Sequence, residues 1–134
     1  MESLFEKKYE NISELNIQAT KLVMEYLKIN KEIYRLSEMD IDISNVKEPD
    51  DWGLVVSKKF DNVKCYINAP GGKEFYNVEK YYNEGIDIKF LLTHLNAYRQ
   101  CRQKEFISGL SILDVMMFNS VEEIQNMLKN YVLL

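Results

Sequence analysis

Residues 64–90 read KCYINAPGGKEFYNVEKYYNEGIDIKF, and this stretch decides the architecture. Residues 64–69 carry strand formers, and Pro70-Gly71-Gly72 then breaks the run sharply. Asn77 is placed to cap a short helix, with Glu79 in its first turn and Gly85 as its stop. An Asn oxygen accepts from first-turn amides, and glycine takes the left-handed exit at no steric cost. Ile86, Ile88 and Phe90 then alternate with Asp87 and Lys89, the period of a half-exposed strand expected at a sheet edge. A strand, a helix and a second strand in succession demand a crossover, and crossovers favour parallel pairing with helices on the sheet faces.

Upstream, Asn11 is set to cap a long helix and Glu14 to close the reciprocal bond three residues later. Ile12, Leu15, Ala19, Leu22, Val23, Tyr26 and Leu27 recur at helical spacing, Lys28 suits the last turn, and Asn30 is the expected left-handed exit. Residues 32–37 (EIYRLS) read as a further strand. Residues 38–51 hold Glu38, Asp40, Asp42, Glu48, Asp50 and Asp51 against a single Lys47. They lack the glycine and closing glutamate of a calcium loop, so a solvated acidic loop is the better reading. Pro49 with Asp50 and Asp51 marks a helix start, with Trp52, Val55, Val56 and Phe60 as its apolar face.

Downstream, residues 93–109 are long and without period, and they hold His94, Tyr98, Arg99, Gln100, Cys101, Arg102 and Lys104. Two helices follow with matching start signals, Ser111 with Asp114 and Ser120 with Glu123. Ile112, Val115 and Met116 are the inward face of the first, and Val121, Ile124, Leu128 and Tyr131 that of the second. The expected fold is therefore α/β: a small, mainly parallel three-stranded sheet with helices on its faces, with residues 1–134 forming a single domain.

Composition narrows the function. With 134 residues, 46% hydrophobic and 28% charged, the chain has ordinary globular usage, which excludes collagen, coiled-coil and disordered compositions. Seventeen basic against 21 acidic residues leave a charge of −4, which argues against a nucleic-acid partner. No apolar run approaches the roughly 18 residues of a membrane span. The polar start MESLFEKKYE is not a signal peptide, so a cytoplasmic, reduced protein is expected. Cys65 and Cys101 make neither a disulfide framework nor a zinc site, and neither metal nor cofactor is expected.

The residues that carry chemistry sit after strands. Gly71 and Gly72 let a backbone approach a ligand closely, and Lys73 adds a mobile cation, although a plain strand-ending turn accounts for the same residues. Ligands of open α/β sheets lie outside the carboxyl ends of strands. Parallel strands would bring that turn and residues 93–109 to one rim, where Lys73, Arg99, Arg102 and Lys104 could meet a phosphate or carboxylate. A solvated basic loop is the competing reading. His94 beside the rim is read as a surface residue, Cys65 as core, and Cys101 as an unpartnered thiol between basic residues. Asp114 is most simply a first-turn carboxylate, with a contact to Arg99 or a substrate amine left open.

Three segments, YINAPGGKEFY, GIDIKFLLTHLNAYRQ and EFISGLSILDVMMFNSVEEIQNML, resemble the C-terminal part of the WbqC-like family. Pro70, Gly71, Gly72, Lys73, Tyr98, Gln100, Phe106, Leu110, Ser111 and Asp114 are the positions that match its motifs. The family's amino-terminal strand and aromatic turn have no counterpart in residues 1–9. The resemblance thus implies the C-terminal part of a WbqC-like protein, lacking one wall of a cleft. It further implies a role in bacterial surface polysaccharide (O-antigen) biosynthesis, with binding or modification of an activated sugar and a link to aminoacyl or acyl transfer onto an amino sugar.

On that basis Gly71, Gly72 and Lys73 are expected to hold phosphate, with Arg99 beside them, while Tyr98, Gln100, Ser111 and Asp114 orient the sugar or amine. The partner is a nucleotide sugar or other anionic small molecule. The alternative is a non-catalytic remnant or oligomerising module, whose exposed sheet edge pairs as a homodimer or with a separate N-terminal half. Its contacts would be the acidic loop and the apolar tail NYVLL.

Overall fold

In chain order the elements are helices α1 (Glu2–Phe5), α2 (Ile12–Tyr26) and α3 (Asp51–Ser57), strand β1 (Cys65–Asn68), helix α4 (Val78–Tyr82), strand β2 (Asp87–Thr93), helices α5 (Ile112–Phe118) and α6 (Val121–Met127), and strand β3 (Tyr131–Leu133). Short 3-10 turns occupy Leu36–Glu38 and Pro70–Phe75. The structure is a computed structural model that describes residues 2–101 and 105–134. The chain divides into two compact units, residues 37–94 with 130–134 and residues 1–36 with 95–129.

The first of these units carries the sheet, in the order β1-β2-β3. Strand β1 pairs parallel to β2, with Cys65 opposite Asp87 and Asn68 opposite Phe90. Strand β3 pairs antiparallel, with Leu91 opposite Leu133 and Thr93 opposite Tyr131. The crossover expected between residues 64 and 90 is therefore present, but the sheet is mixed, and β2 lies at its centre instead of at an edge. The third strand is the C-terminal YVL. Residues 32–37 form no strand: Leu36–Glu38 is a 3-10 turn and the residues before it are irregular. Ile and Tyr favour a pleated, half-buried surface and make no strand without a ladder partner. Tyr131, expected on the face of the last helix, lies in β3, because α6 ends at Met127.

The core of this unit is Leu54, Tyr81 and Ile86, with Val63, Tyr66, Tyr76 and Ile88 packed against them. The alternation of β2 is explained by this burial: Ile86 and Phe90 are buried and Ile88 half-buried, while Asp87 and Lys89 face solvent. Asn77 caps α4, its side-chain oxygen accepting from the Lys80 N–H at 3.3 Å, and Gly85 ends the segment at φ 72°. Helix α3 buries Gly53, Leu54 and Ser57, so its inward face is not the expected Trp52, Val55, Val56 and Phe60. The glycine is what turns it. The Tyr66 and Tyr81 rings stack at 5.6 Å and come so close to the α3 backbone that only a residue without a side chain fits there.

Burial, and then the hydrogen bond with Tyr76, pushes the Tyr66 phenol up to about 12. Burial raises Tyr81 as well, with the neighbouring Tyr66, Tyr76 and Asp50 adding to it. A phenol raised in the folded state contributes stability that is complete below the ordinary tyrosine value, about 10, and is lost as pH rises toward the folded value. Phenolate absorbance is thus expected to show Tyr66 ionising near 12, with the melting temperature falling between about 10 and that value. A single titration step near 10 would contradict this packing.

In the other unit, Asn11 caps α2 by accepting the Glu14 N–H at 2.9 Å. The Glu14 carboxylate reaches back to the Glu10 N–H at 3.1 Å, one residue beyond the expected partner. Leu4, Leu27 and Ile124 are buried. The left-handed exit after α2 is Lys28, at φ 56°, and not Asn30. Helix α6 opens with the complete capping box expected of Ser120 and Glu123.

Candidate functional site

Helix α5 opens differently from α6, and the difference locates the site. Ser111 is its cap and its hydroxyl accepts from the Leu113 N–H at 3.2 Å, but Asp114, at the position of a capping-box glutamate, does not reach back to it. Its carboxylate is drawn instead to the loop before the helix. Asp114 Oδ2 accepts from the Tyr98 hydroxyl at 2.5 Å and from Gln100 Nε2 at 3.2 Å. Burial, and then the bond to Asp114, raises Tyr98 above the ordinary phenol value, so it stays protonated and remains the donor.

Gln100 is the fixed point of this cluster and is buried. Its Oε1 accepts from the Ile107 N–H at 2.8 Å and its Nε2 donates to the Ile107 carbonyl at 2.9 Å. The side-chain amide thus pairs with a backbone residue as a neighbouring strand would, and it draws residues 100 and 107 together. Phe106 packs edge-on against the Tyr98 ring at 5.2 Å. Gln100 is thus satisfied internally and positions Asp114, whose bonds to the described residues all fall on Oδ2.

Of the residues singled out in the sequence, Tyr98, Gln100, Ser111 and Asp114 thus assemble in one unit. Arg99 in that unit is exposed, and the contact left open between Asp114 and a neighbour is made by Tyr98 and Gln100. Arg102 and Lys104 lie outside the described residues. Cys101 is exposed, and Cys65, expected in the core, is half-buried. His94 is exposed, and its backbone N–H continues the β2–β3 ladder to the Asn130 carbonyl at 2.9 Å.

Gly71, Gly72 and Lys73 belong to the sheet-bearing unit, in the 3-10 turn that leaves β1. The Gly72 N–H donates to the Ala69 carbonyl at 3.3 Å. A side chain at Gly72 would press on Asn68 and on the Tyr76 ring, both 3.2 Å from its Cβ, whereas a Cβ at Gly71 would meet open space. Packing therefore explains one glycine and not the other. Lys73 is exposed.

A second polar cluster in the same unit was not anticipated. Asp50, assigned to the solvated acidic loop, is 3% exposed. Its Oδ1 accepts from Lys80 Nζ at 2.8 Å, its Oδ2 from the Asn77 N–H at 3.2 Å, and its carbonyl from the Tyr81 hydroxyl at 2.6 Å. Lys80 also donates to Asp51 Oδ1 at 2.7 Å, and Asp51 Oδ2 accepts the Lys47 and Glu48 N–H groups. The Pro49-Asp50-Asp51 helix start was the one local signal, and it pointed only to the cap. Among the described residues no three His, Cys, Asp or Glu side chains group as metal ligands, and no helix is long and apolar enough to cross a membrane.

Comparison with curated proteins and with solved structures gives no significant match. The model of the WbqC-like protein family, in contrast, matches residues 1–126, which include the candidate cluster, the glycine turn and the first nine residues. On a match that spans nearly the whole sequence, the chain belongs to the WbqC-like protein family.

Proposed function

We propose that the chain serves bacterial surface polysaccharide (O-antigen) biosynthesis in the cytoplasm by binding or modifying an activated sugar, as part of aminoacyl or acyl transfer to an amino sugar. The observation that carries this reading is the Tyr98–Gln100–Asp114 cluster. One carboxylate oxygen is saturated by two internal donors, which hold the group in place. A carboxylate so held accepts from a sugar hydroxyl or amine without first paying to be ordered. The Tyr98–Phe106 pair lies beside it as an apolar surface for a sugar ring. Gln100 is a positioning residue, and Ser111 sets the start of α5 on which Asp114 stands.

Gly71, Gly72 and Lys73 make a separate contribution, holding an anion such as phosphate. The open space beside Gly71 supports this, since nothing in the packing requires a glycine there. The test is calorimetric titration of nucleoside-diphosphate sugars. Asp114→Asn keeps the shape but replaces an acceptor by a donor, and it is expected to weaken binding at least tenfold, ~1.4 kcal/mol, with the melting temperature nearly unchanged. The Lys73→Ala, Arg99→Ala double variant tests the anion contacts. Undiminished binding by either variant removes the corresponding assignment.

A second reading is favoured by strand β3. Tyr131, Val132 and Leu133 are all exposed, carry no charge, and lie at the end of the strand order. Such an edge pairs readily with another strand. Light scattering across a concentration series separates the readings: a dimer supports the oligomerising module, and a monomer at every concentration rejects it.

A further inference from the structure

Helix α2 ends in a conformation that its residue does not favour. The Ile29 N–H donates to the Met24 carbonyl at 2.8 Å and the Lys28 N–H to the Glu25 carbonyl at 3.0 Å. This is the Schellman pair of reversed bonds, whose turning residue is left-handed and usually glycine. Here it is Lys28, at φ 56°, where a Cβ is strained. A non-glycine residue in such a position points to a use for its side chain.

The reversal frames a cavity of ≈ 460 Å³ that lies largely open to solvent. Lys21, Lys28 and Lys31 line it, with Met24 and Ile29 as its apolar part and Glu25 as its one acid. The chain as a whole is acidic, 21 residues against 17, so three ammonium groups around one cavity run against its average. None of the three is ion-paired with a described carboxylate. The carbonyls of a helix C-terminus ordinarily repel an anion. Around the end of α2 four of them are engaged: Val23 by the Leu27 N–H, Met24 by Ile29, Glu25 by Lys28, and Leu27 by Gln125 Nε2 at 2.7 Å.

We propose that this cavity is a binding site for a small phosphate ester. Lys21, Lys28 and Lys31 take the phosphate, and Met24 and Ile29 take the organic group. The site is independent of the roles assigned to Lys73 and Asp114, and it can fail or stand without them.

The experiment titrates phenyl phosphate and inorganic phosphate into the Lys73→Ala, Arg99→Ala chain, which removes the side chains assigned to the other anion contact, by calorimetry and by amide chemical shifts. Saturable binding is expected, with shifts centred on Lys28, Ile29 and Lys31, weakened by salt. Phenyl phosphate should bind several-fold tighter than inorganic phosphate. Adding Lys28→Gly and Lys31→Ala should cut affinity by about tenfold or more. Lys28→Gly alone should melt no lower than its parent, because glycine suits the turn, so a loss of binding there is not a loss of fold. The proposal is overturned by an absence of saturable binding, by shifts centred elsewhere, or by equal affinity after both lysines are removed. Equal affinity for the two phosphates overturns the role of Met24 and Ile29.

Discussion

Gly53→Ala is expected to destabilise the sheet-bearing unit by about 2–3 kcal/mol, although alanine is the better helix former. A Cβ at this position would stand 2.6 Å from Tyr66 Cζ, 2.6 Å from Tyr81 Oη and 2.8 Å from Tyr66 Cε1. None of these is the free end of a flexible chain. Tyr66 is stacked on Tyr81, Tyr81 is fully buried, and its hydroxyl is tied to the Asp50 carbonyl. Relief requires the rings to shift together or α3 to move off the sheet. The gain of about 1 kcal/mol in helix propensity is smaller than that strain. Trp52, the single tryptophan, sits next to Gly53 and reports the unfolding of α3 by fluorescence in urea. Gly71→Ala, whose Cβ meets nothing within 4 Å, is the matched control and should change stability by no more than about 0.5 kcal/mol. Equal midpoints for the two variants would refute the packing described for Gly53.

Asp50→Ala is the second large effect, a loss of about 2–3 kcal/mol. Its carboxylate is the hub between the start of α3 and the start of α4, and its removal strands the part-buried Asn77 amide and takes one of two anchors from Lys80. Asp50→Asn should cost roughly half as much, since its one side-chain oxygen can accept from only one of these donors. The neighbouring Asp51 carboxylate contributes to the acid limb of stability, as do Asp42 and Glu123. The Lys80 ammonium, with the Glu48 and Lys47 amides, holds Asp51 well below the usual carboxylate range. A depressed carboxylate contributes stability that is complete above its unfolded value, about 3.9, and is lost as pH falls below it. Asp50 and Asp51 in turn raise Lys80, a contribution complete below about 10.4 and lost above it. Thermal melts should therefore decline on the acid side, and Asp51→Asn should flatten that decline.

These two residues also mark where the amino-acid sequence could be read and where it could not. The caps at Asn11, Asn77, Ser111 and Ser120 were legible, because a cap is a bond across two or three residues whose partners are adjacent in the text. So was the β1–α4–β2 crossover, since its strand, turn and stop signals follow one another directly. Gly53 gave no such signal. Its necessity comes from Tyr66 and Tyr81, 13 and 28 residues away. Asp50 was assigned to solvent for the same reason, since Lys80 and Asn77 reach it from 30 and 27 residues along the chain.

The third strand failed for a related cause. Residues 32–37 and 131–133 both carry strand formers, Ile33, Tyr34 and Leu36 in the first and Tyr131, Val132 and Leu133 in the second, and only the second meets a ladder in β2. In the candidate site, the residue types were readable from Tyr98, Gln100 and Asp114, but their arrangement was not. Gln100 reads as one more polar loop residue until its amide is seen paired with the Ile107 backbone.

Strand β2 spends its two ends on different neighbours. Its first four residues bond to β1, and its last three, with Phe90 bonded to Leu134, face β3. The two ladders share little more than Phe90, so the short antiparallel one can open while the parallel one stays closed. That makes the C-terminal strand a latch and not a keystone. Amides of Leu134 and His94 would exchange with solvent through local fraying, while those of the β1–β2 pair wait for the unit to unfold as a whole.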